Sequence, residues 1–233
     1  MRTLDIAFVT ETYPPEVNGV AMTVGRLVGG LRERGHRVSV VRPRQGRDDS
    51  DSEHELALSG LPLPGYPGLR FGLPAGRRLA RQWLHRRPDF VHVVTEGPLG
   101  WSAVNTARRL GIPVTSGFHT NFDRYSAHYG VGWMRPAVAA YLRSLHRRTL
   151  VTMVPTAALA GELAGSGLAG VRVVGRGVDT TLYDPARRSH ALRSSWDASE
   201  QAPVCLYVGR LAPEKNLALV RKAFKAIQAQ HSA

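Results

Sequence analysis

Short apolar segments alternate with amphipathic segments along most of the chain, and this alternation limits the fold more than any other feature. Several short segments are apolar at consecutive positions and rich in β-branched residues, which is typical of strands buried on both faces of a parallel sheet. Strands are predicted at Leu4–Thr10, Arg37–Val41, Phe90–Thr95, Ile112–Ser116, Leu150–Val154, Val171–Gly175 and Pro203–Gly209. Helices are predicted at 20–31, 77–87, 98–110, 122–129, 136–148, 156–165 and 217–228. The alternation predicts an α/β fold with a doubly wound parallel sheet.

The composition changes after Asp179, where the chain becomes polar and rich in arginine and serine. We therefore predict a first domain over residues 1–180, a linker over 181–201 and the start of a second domain over 202–233. One strand and one helix cannot form a domain, so we expect this second domain to be incomplete and the chain to be truncated. Residues 43–68 are predicted to be mostly loop, with one short strand near 56–59.

The charge balance is strongly basic, with 31 lysine and arginine residues against 18 acidic residues and a formal net charge of +13. Such a charge raises the question of a nucleic-acid partner. The sequence has no DNA- or RNA-binding signature, and scattered arginines bind phosphate without specificity, so we expect no specific nucleic-acid partner.

The single cysteine, Cys205, excludes an intrachain disulfide and a cysteine-based zinc cage. Because Cys205 lies in an apolar run, we expect it to be a small buried side chain. The amino-terminal segment lacks the features of a signal peptide, and no run approaches the roughly 18 apolar residues of a membrane span. These observations favour a cytoplasmic protein.

The spacing of the glycines at Gly165–Gly170 matches that of the dinucleotide-binding fingerprint. That fingerprint requires a strand before it and a helix after it, whereas here a helix precedes and a strand follows. We therefore interpret it as a turn. The sequence also lacks a phosphate-binding P-loop, a nucleophile elbow and a zinc-protease motif.

The loop from Pro14 to Val20 leaves the first strand at its carboxyl end and enters a helix. Ligands of open α/β sheets bind at this edge, and the free amides at a helix amino terminus favour an anion such as a diphosphate. Gly19 would allow the backbone to approach the ligand closely. A proline- and glycine-rich turn without a ligand is an equally good interpretation.

A second group of polar residues follows the strand at Ile112–Ser116. His119 could serve catalysis near neutral pH, or bond to the backbone at the end of a strand. Thr120, Asn121 and Asp123 could contact sugar hydroxyls, or cap the following helix. A third group lies at Gly209–Asn216, where Arg210 and Lys215 could hold a diphosphate or remain solvated surface cations.

Taken in order, these segments resemble glycosyltransferase family 4 of the GT-B fold. The residues that carry the resemblance are TETYPPEVNGVAMTVGRLVGGLRERGHRV, SGFHTNF, GRGVDTTLYDP and VGRLAPEKN. Within the family, the motifs are most similar to those of bacterial GDP-mannose-dependent α-mannosyltransferases and of sulfoquinovosyl- and diglucosyl-lipid relatives.

The resemblance implies two Rossmann-like domains that face a cleft, and transfer of a hexose with retention of configuration, without a metal or organic cofactor. The donor would be a nucleotide sugar, GDP-mannose or a UDP-sugar, and the acceptor a lipid or a glycan. Gly19 matches the glycine at the donor diphosphate, His119 the histidine at the transferred sugar, and Arg210 with Lys215 the cations at the leaving diphosphate. Asn18, Thr120, Asn121 and Asp123 are the candidates for acceptor or sugar binding.

One departure from the family pattern is that no two glutamates lie eight residues apart, although the family has such a pair in its second domain. We therefore expect the 233-residue chain alone to bind donor poorly and to turn over little. A nucleotide-sugar epimerase of similar architecture is the alternative enzyme class, and a UDP-sugar-dependent lipid glycosyltransferase is the alternative within the family.

Two cationic segments suggest a peripheral position at the inner face of the cytoplasmic membrane. Residues 124–161 contain no aspartate or glutamate, and Val138, Tyr141, Leu142 and Leu145 recur there at helical spacing. The helix could bury this stripe in the core or lie in an anionic lipid interface. The second segment contains Arg70, Arg77, Arg78, Arg81, Arg86 and Arg87.

Overall fold

The structure is a computed structural model that describes residues 2–46, 49–62, 70–119, 135–209, 211 and 215–231. These residues form two compact units. The first contains the described residues up to His119 and those from 135 to Arg176, and the second contains those from Gly177 onward. The domain boundaries at 180 and 201 stay a prediction.

A parallel sheet of seven described strands forms the centre of the first unit. Its strands are β1 (Asp5–Val9), β2 (Arg37–Pro43), β3 (Glu55–Leu58), β6 (Phe90–Val93), β7 (Val114–Gly117), β8 (Val151–Val154) and β9 (Val171–Val173). Their order across the sheet is β3-β2-β1-β6-β7-β8-β9. In register, Val9 lies beside Val41 on one side and Val93 on the other. The predicted α/β class with a parallel sheet is confirmed.

Helices cover both faces of the sheet, as a doubly wound fold requires. The first unit contains α1 (Gly19–Glu33), α2 (Gly76–His85), α3 (Pro98–Arg109), α4 (Arg135–His146) and α5 (Ala157–Gly165). Ile6 and Phe8 of β1 pack with α1, whereas Ala7 and Val9 pack with α2 and α3 on the opposite face. Burial of consecutive residues on both faces explains why the strands are apolar without alternation.

Two predicted turns have the backbone conformation that their glycines allow. Gly35, which follows α1, has a φ of +83°, so this residue stops the helix as predicted. The glycine-rich segment after α5 forms a turn into β9, and Gly167 and Gly170 have φ values of +81° and +72°. The dinucleotide fingerprint is therefore absent from this segment, as its helix-to-strand order predicted.

The described part of the predicted loop at 43–68, together with the residues that follow it, contains more structure than the sequence indicated. The strand expected near 56–59 is β3, and two further short strands, β4 (Gly60–Pro62) and β5 (Arg70–Gly72), form an antiparallel pair. Arg42 anchors the described part of this segment by ion pairs with Asp49 and Glu55, the second with an Nε–Oε2 distance of 2.8 Å. The sequence did not predict β4 and β5 because both contain glycine and β4 also contains proline, and these residues usually interrupt strands.

The described residues of the second unit form two α-helices, α6 (His190–Ser194) and α7 (Leu217–His231), and a short 3-10 helix at Pro185–Arg187. The strand predicted at Pro203–Gly209 is wrong, because no described strand pairs with this segment and a strand requires a hydrogen-bonded partner. The prediction that Cys205 is buried is wrong for the same reason: Cys205 is exposed, and so is its neighbour Leu206. None of the described helices is long and apolar enough to cross a membrane.

Candidate functional site

The carboxyl ends of the parallel strands share one edge of the sheet, where two of the segments predicted as functional lie beside a third polar segment that was not predicted. Thr10–Asn18 follows β1, Val94–Gly97 follows β6, and Phe118–His119 follows β7. The strands are in register, since Val9 pairs with Val93 and Val93 with Ser116. Gly19 and His119 therefore lie at the same edge, where ligands of open α/β sheets bind.

Asn18 caps α1. Its Oδ1 accepts hydrogen bonds from the amides of Val20 and Ala21 at 3.1 and 2.9 Å, and its Nδ2 donates to Thr12 Oγ1 at 2.6 Å. Both ends of this side chain are thus used within the loop, which gives Asn18 a structural task beside the predicted binding task. Gly19 begins the helix, and a Cβ at this position would meet no atom within 4 Å. The space beside Gly19 is therefore open to a ligand.

His119 presents a neutral imidazole at the end of β7. Burial, followed by the nearby Arg176, lowers the pKa of His119 to about 4. Its Nδ1 is buried and has no hydrogen-bond partner among the described residues. The ring lies against Gly117, where the Cβ of any other residue would overlap Nε2. At neutral pH this side chain is therefore uncharged and offers one unused nitrogen for a hydrogen bond.

Glu11 is a buried carboxyl group at the same edge that the sequence interpretation missed. It follows the first strand, and its Oε2 accepts a hydrogen bond from the amide of Gly72. The N-cap of α3 is Gly97, which has no side chain, and the Glu11 carboxyl group lies against this glycine. Glu11 therefore places a carboxyl group from another part of the chain at the amino terminus of α3, where the amides of Gly72, Leu99 and Gly100 act to lower its pKa. Two features of the sequence could have indicated this role of Glu11: an acidic residue directly after a strand, and a helix that begins without a capping side chain.

Glu11 makes stability depend on pH. Burial raises its pKa to about 7 from 4.5, although the three amides act in the opposite direction. The folded state then holds a proton more tightly than the unfolded state, so this contribution to stability is complete below about pH 4.5 and is lost as the pH rises through 7. The contribution of Glu11 to the free energy of unfolding falls by on the order of 3 kcal/mol across this window.

We expect Glu11→Gln to remove this pH dependence, because the amide carries no charge to desolvate. Urea unfolding at pH 5 and pH 8 should show a larger fall in the free energy of unfolding for the wild type than for the variant. His92 and His119 titrate in the opposite direction, since burial lowers the pKa of each to about 4, and both are shared by the two proteins. Equal changes in the two proteins would contradict the assignment.

A second buried carboxyl group, Glu96, follows β6 and was also missed. Its Oε1 lies 3.5 Å from Nε2 of His146, and burial raises its pKa. His146 Nδ1 lies 2.9 Å from Ser116 Oγ, and Tyr141 donates its hydroxyl proton to the Glu96 carbonyl at 2.6 Å. Burial and the nearby carboxylates raise the pKa of Tyr141 to about 12. This network ties α4 to the loops at the edge that carries His119.

The other predicted site residues lie outside the described residues or in the second unit. Thr120, Asn121, Asp123 and Arg210 lie outside the described residues. Lys215 is described and exposed in the second unit. Among the described residues, no group of three or more His, Cys, Asp or Glu side chains could hold a metal ion.

Comparison with known families decides the assignment. The family model described as Glycosyltransferase Family 4 matches residues 17–182, which include Gly19, His119 and most of the sheet. The chain belongs to glycosyltransferase family 4. The match to this family confirms the resemblance carried by the four sequence motifs.

Relatives of this family 4 chain are longer than the chain itself. A protein from Mycobacterium tuberculosis named GDP-mannose-dependent alpha-mannosyltransferase is 33% identical over 218 residues, which cover 91% of this chain and 57% of the relative. A Streptococcus pneumoniae protein named alpha-monoglucosyldiacylglycerol synthase is 25% identical, with coverages of 94% and 52%. The chain therefore spans a little more than half the length of these two relatives.

The fold of the family 4 chain also matches solved GT-B structures. Sucrose-phosphate synthase from Thermosynechococcus elongatus superposes with a TM-score of 0.68 at 14% identity, over 95% of this chain and 59% of that structure. At this identity the likeness concerns the fold alone.

Proposed function

We propose that a polypeptide of the relatives' length that carries this chain transfers a hexose from a nucleotide sugar to a lipid or glycan acceptor, with retention of configuration. The observation that carries the proposal is the family 4 match over residues 17–182. The open space at Gly19 and the unused nitrogen of His119, at one sheet edge, support it.

The reaction breaks the bond between the anomeric carbon and the diphosphate oxygen, and forms a bond from that carbon to an acceptor hydroxyl oxygen. The diphosphate leaves with the bonding electrons, and the hydroxyl proton passes to it. Negative charge therefore builds on the diphosphate, and amides or cations placed there lower the barrier. We assign this task to the backbone at Gly19 and to Arg210 and Lys215, and we assign no metal or organic cofactor to the reaction.

His119 is proposed to contact the transferred sugar. The departing diphosphate leaves an electron-poor anomeric centre, which a charged imidazolium would repel. Because burial lowers the pKa of His119 to about 4, the ring stays neutral and forms a hydrogen bond to a sugar hydroxyl without such repulsion. Thr120, Asn121 and Asp123 directly follow it in sequence and are proposed to contact the acceptor or sugar, together with Asn18.

GDP-mannose is the proposed donor and mannose the proposed transferred sugar, because the name of the M. tuberculosis relative includes GDP-mannose. A lipid acceptor is supported by the S. pneumoniae relative, whose name includes diacylglycerol. A UDP-sugar-dependent lipid glycosyltransferase is the second candidate. With a lipid acceptor, we place the protein peripherally at the inner face of the cytoplasmic membrane.

The test uses a polypeptide of the relatives' length and measures release of nucleoside diphosphate. We expect GDP release from GDP-mannose only when a diacylglycerol-type or glycan acceptor is present, and little release from UDP-glucose. Release of UDP alone would favour the second candidate. Conversion of a UDP-sugar without any acceptor would indicate an epimerase and contradict the proposal. The 233-residue chain, assayed in parallel, should show little turnover.

A further inference from the structure

A buried polar cluster joins the last residue of α4 to strands β7 and β8. His146, 1% exposed, has its Nδ1 2.9 Å from Ser116 Oγ. The same oxygen lies 2.9 Å from Thr149 Oγ1 and 3.2 Å from Thr152 Oγ1. On the other side of the ring, His146 Nε2 faces the carboxyl group of Glu96. We call these residues the Glu96–His146 cluster.

The apolar stripe of α4 packs on the same two strands. Leu142 and Leu145 are buried, and Leu142 packs with Phe118 and with Val154 of β8. The alternative in which this stripe lies in a lipid interface is therefore wrong. Apolar packing and the Glu96–His146 cluster together hold α4 against β7 and β8.

The short contacts of the cluster are satisfied together by one arrangement of protons. Thr149 donates its hydroxyl proton to the His146 carbonyl at 2.8 Å, so Ser116 must donate in its contact with Thr149. Ser116 then has no proton left for the imidazole, and its oxygen accepts one from His146 Nδ1. The hydroxyl of Thr152 donates to the same oxygen. We therefore assign the Nδ1 proton to His146.

This assignment leaves one proton for the contact between His146 and Glu96. Nε2 of the ring lies 3.5 Å from Glu96 Oε1, and neither carboxyl oxygen nor Nε2 has a hydrogen-bond partner among the described residues. A proton on Glu96 leaves both groups uncharged, whereas a proton on His146 creates two charges in a site that excludes water. Burial therefore favours the uncharged pair, and it raises the pKa of Glu96 in agreement.

The cluster contacts the face of β7 that is opposite to His119. Side chains alternate along an extended chain, so Ser116 and Phe118 point to one side, and Gly117 and His119 to the other. The His146 ring bonds to Ser116, and its centroid lies 5.2 Å from that of Phe118. The His119 ring lies against Gly117 on the other face. His146 thus contacts the two residues that alternate with Gly117 and His119.

We propose that Glu96 and His146 share one buried proton as an uncharged pair, and that this pair positions His119 for hexosyl transfer. Both side chains are buried, so they act through β7 and are positioning residues. A proton held between two fixed atoms keeps the end of α4, the segment after β6 and the end of β7 in one arrangement. The effect on transfer rests on the proposed function, whereas the proton arrangement does not.

The proton arrangement is tested by NMR of the imidazole nitrogens at neutral pH. We expect His146 to be a neutral ring with its proton on Nδ1. In Glu96→Gln the side-chain amide replaces the carboxyl group as the donor to Nε2, so His146 should keep this tautomer. An imidazolium, or a neutral ring with its proton on Nε2, would overturn the shared proton.

The positioning role is tested by kinetics in a polypeptide of the relatives' length. Misplacing a reacting group by about 1 Å costs up to about 100-fold in rate, so Glu96→Ala should lower kcat about 10- to 100-fold. KM should change less than about threefold, and Glu96→Gln should keep kcat within about threefold of the wild type. Ser116→Ala, which removes the acceptor of His146 Nδ1, replaces Glu96→Ala if that variant fails to fold.

Leu79→Ala is the control for lost stability alone, because Leu79 is fully buried on another helix, α2. The folded control should keep the wild-type kcat, and the NMR signals of the His119 ring should move in Glu96→Ala but not in Leu79→Ala or Glu96→Gln. Equal loss of kcat in Glu96→Ala and Leu79→Ala would show that stability, and not position, sets the rate.

Two further results would overturn the proposal. Equal loss of kcat in Glu96→Gln and Glu96→Ala would show that the carboxyl group must be charged. Unmoved His119 signals in Glu96→Ala would remove the pair from the positioning of that ring. The NMR measurements require no turnover, so the expected signals without hexosyl transfer in the wild type would count against the proposed function alone.

Discussion

Replacing His119 with alanine is expected to lower the rate of hexosyl transfer about 100- to 1000-fold in a polypeptide of the relatives' length, as loss of one positioned hydrogen-bonding group commonly does. The imidazole is neutral because its pKa is lowered to about 4, and its buried Nδ1 has no described partner. A polar atom that is buried without a partner costs free energy, and a bound sugar would remove that cost. That part of the effect appears in donor affinity, whereas kcat falls because the same hydrogen bond strengthens as charge develops on the sugar in the transition state.

His85→Ala is the matched control, because His85 is exposed at the end of α2. It should leave the transfer rate within about twofold of the wild type, as expected for a surface substitution. Steady-state kinetics with the proposed donor measure kcat and KM, and urea unfolding checks that both variants fold. A His119→Ala enzyme that retains more than a third of wild-type kcat would remove His119 from the reacting centre.

Gly100→Ala is expected to lower the free energy of unfolding by about 3 kcal/mol, at the upper end of the range for overpacked positions. A Cβ on Gly100 would overlap the backbone carbonyl of Thr95 and lie 3.0 Å from Val93 Cγ1. The Thr95 carbonyl belongs to the turn between β6 and α3, so it cannot yield without moving the helix from the sheet. That movement would also disturb the contact between the Glu11 carboxyl group and Gly97 at the amino terminus of α3.

Gly29→Ala provides the matched control because Gly29 lies inside α1, where an added Cβ meets no atom within 4 Å. Alanine is a better helix former than glycine, so this change should raise the free energy of unfolding by about 0.5–1 kcal/mol. Urea unfolding of the two variants measures both effects. Equal changes in Gly100→Ala and Gly29→Ala would show that helix propensity, and not the close contact with Thr95, governs position 100.

The sequence was informative wherever a property repeats along the chain or is written in a local motif. Consecutive apolar residues predicted the buried parallel strands, and the loop from Pro14 to Val20 predicted the start of α1 at a ligand-binding edge. The same reasoning was wrong at Pro203–Gly209. An apolar run indicates that a segment favours burial, but it does not indicate whether a partner strand is present.

The sequence by itself determined the parallel α/β sheet, the family and the position of His119 at the end of a strand, because these depend on periodicity and on short motifs. Only the tertiary structure decided that Glu11 lies at the amino terminus of a helix more than 80 residues away, that Glu96 lies 3.5 Å from His146, and that Arg108 of α3 lines one groove with Arg143, Arg147 and Arg148. The physical reason is that burial, and with it the pKa of a carboxyl group, depends on neighbours distant in the chain. Local sequence patterns do not record which neighbours these are.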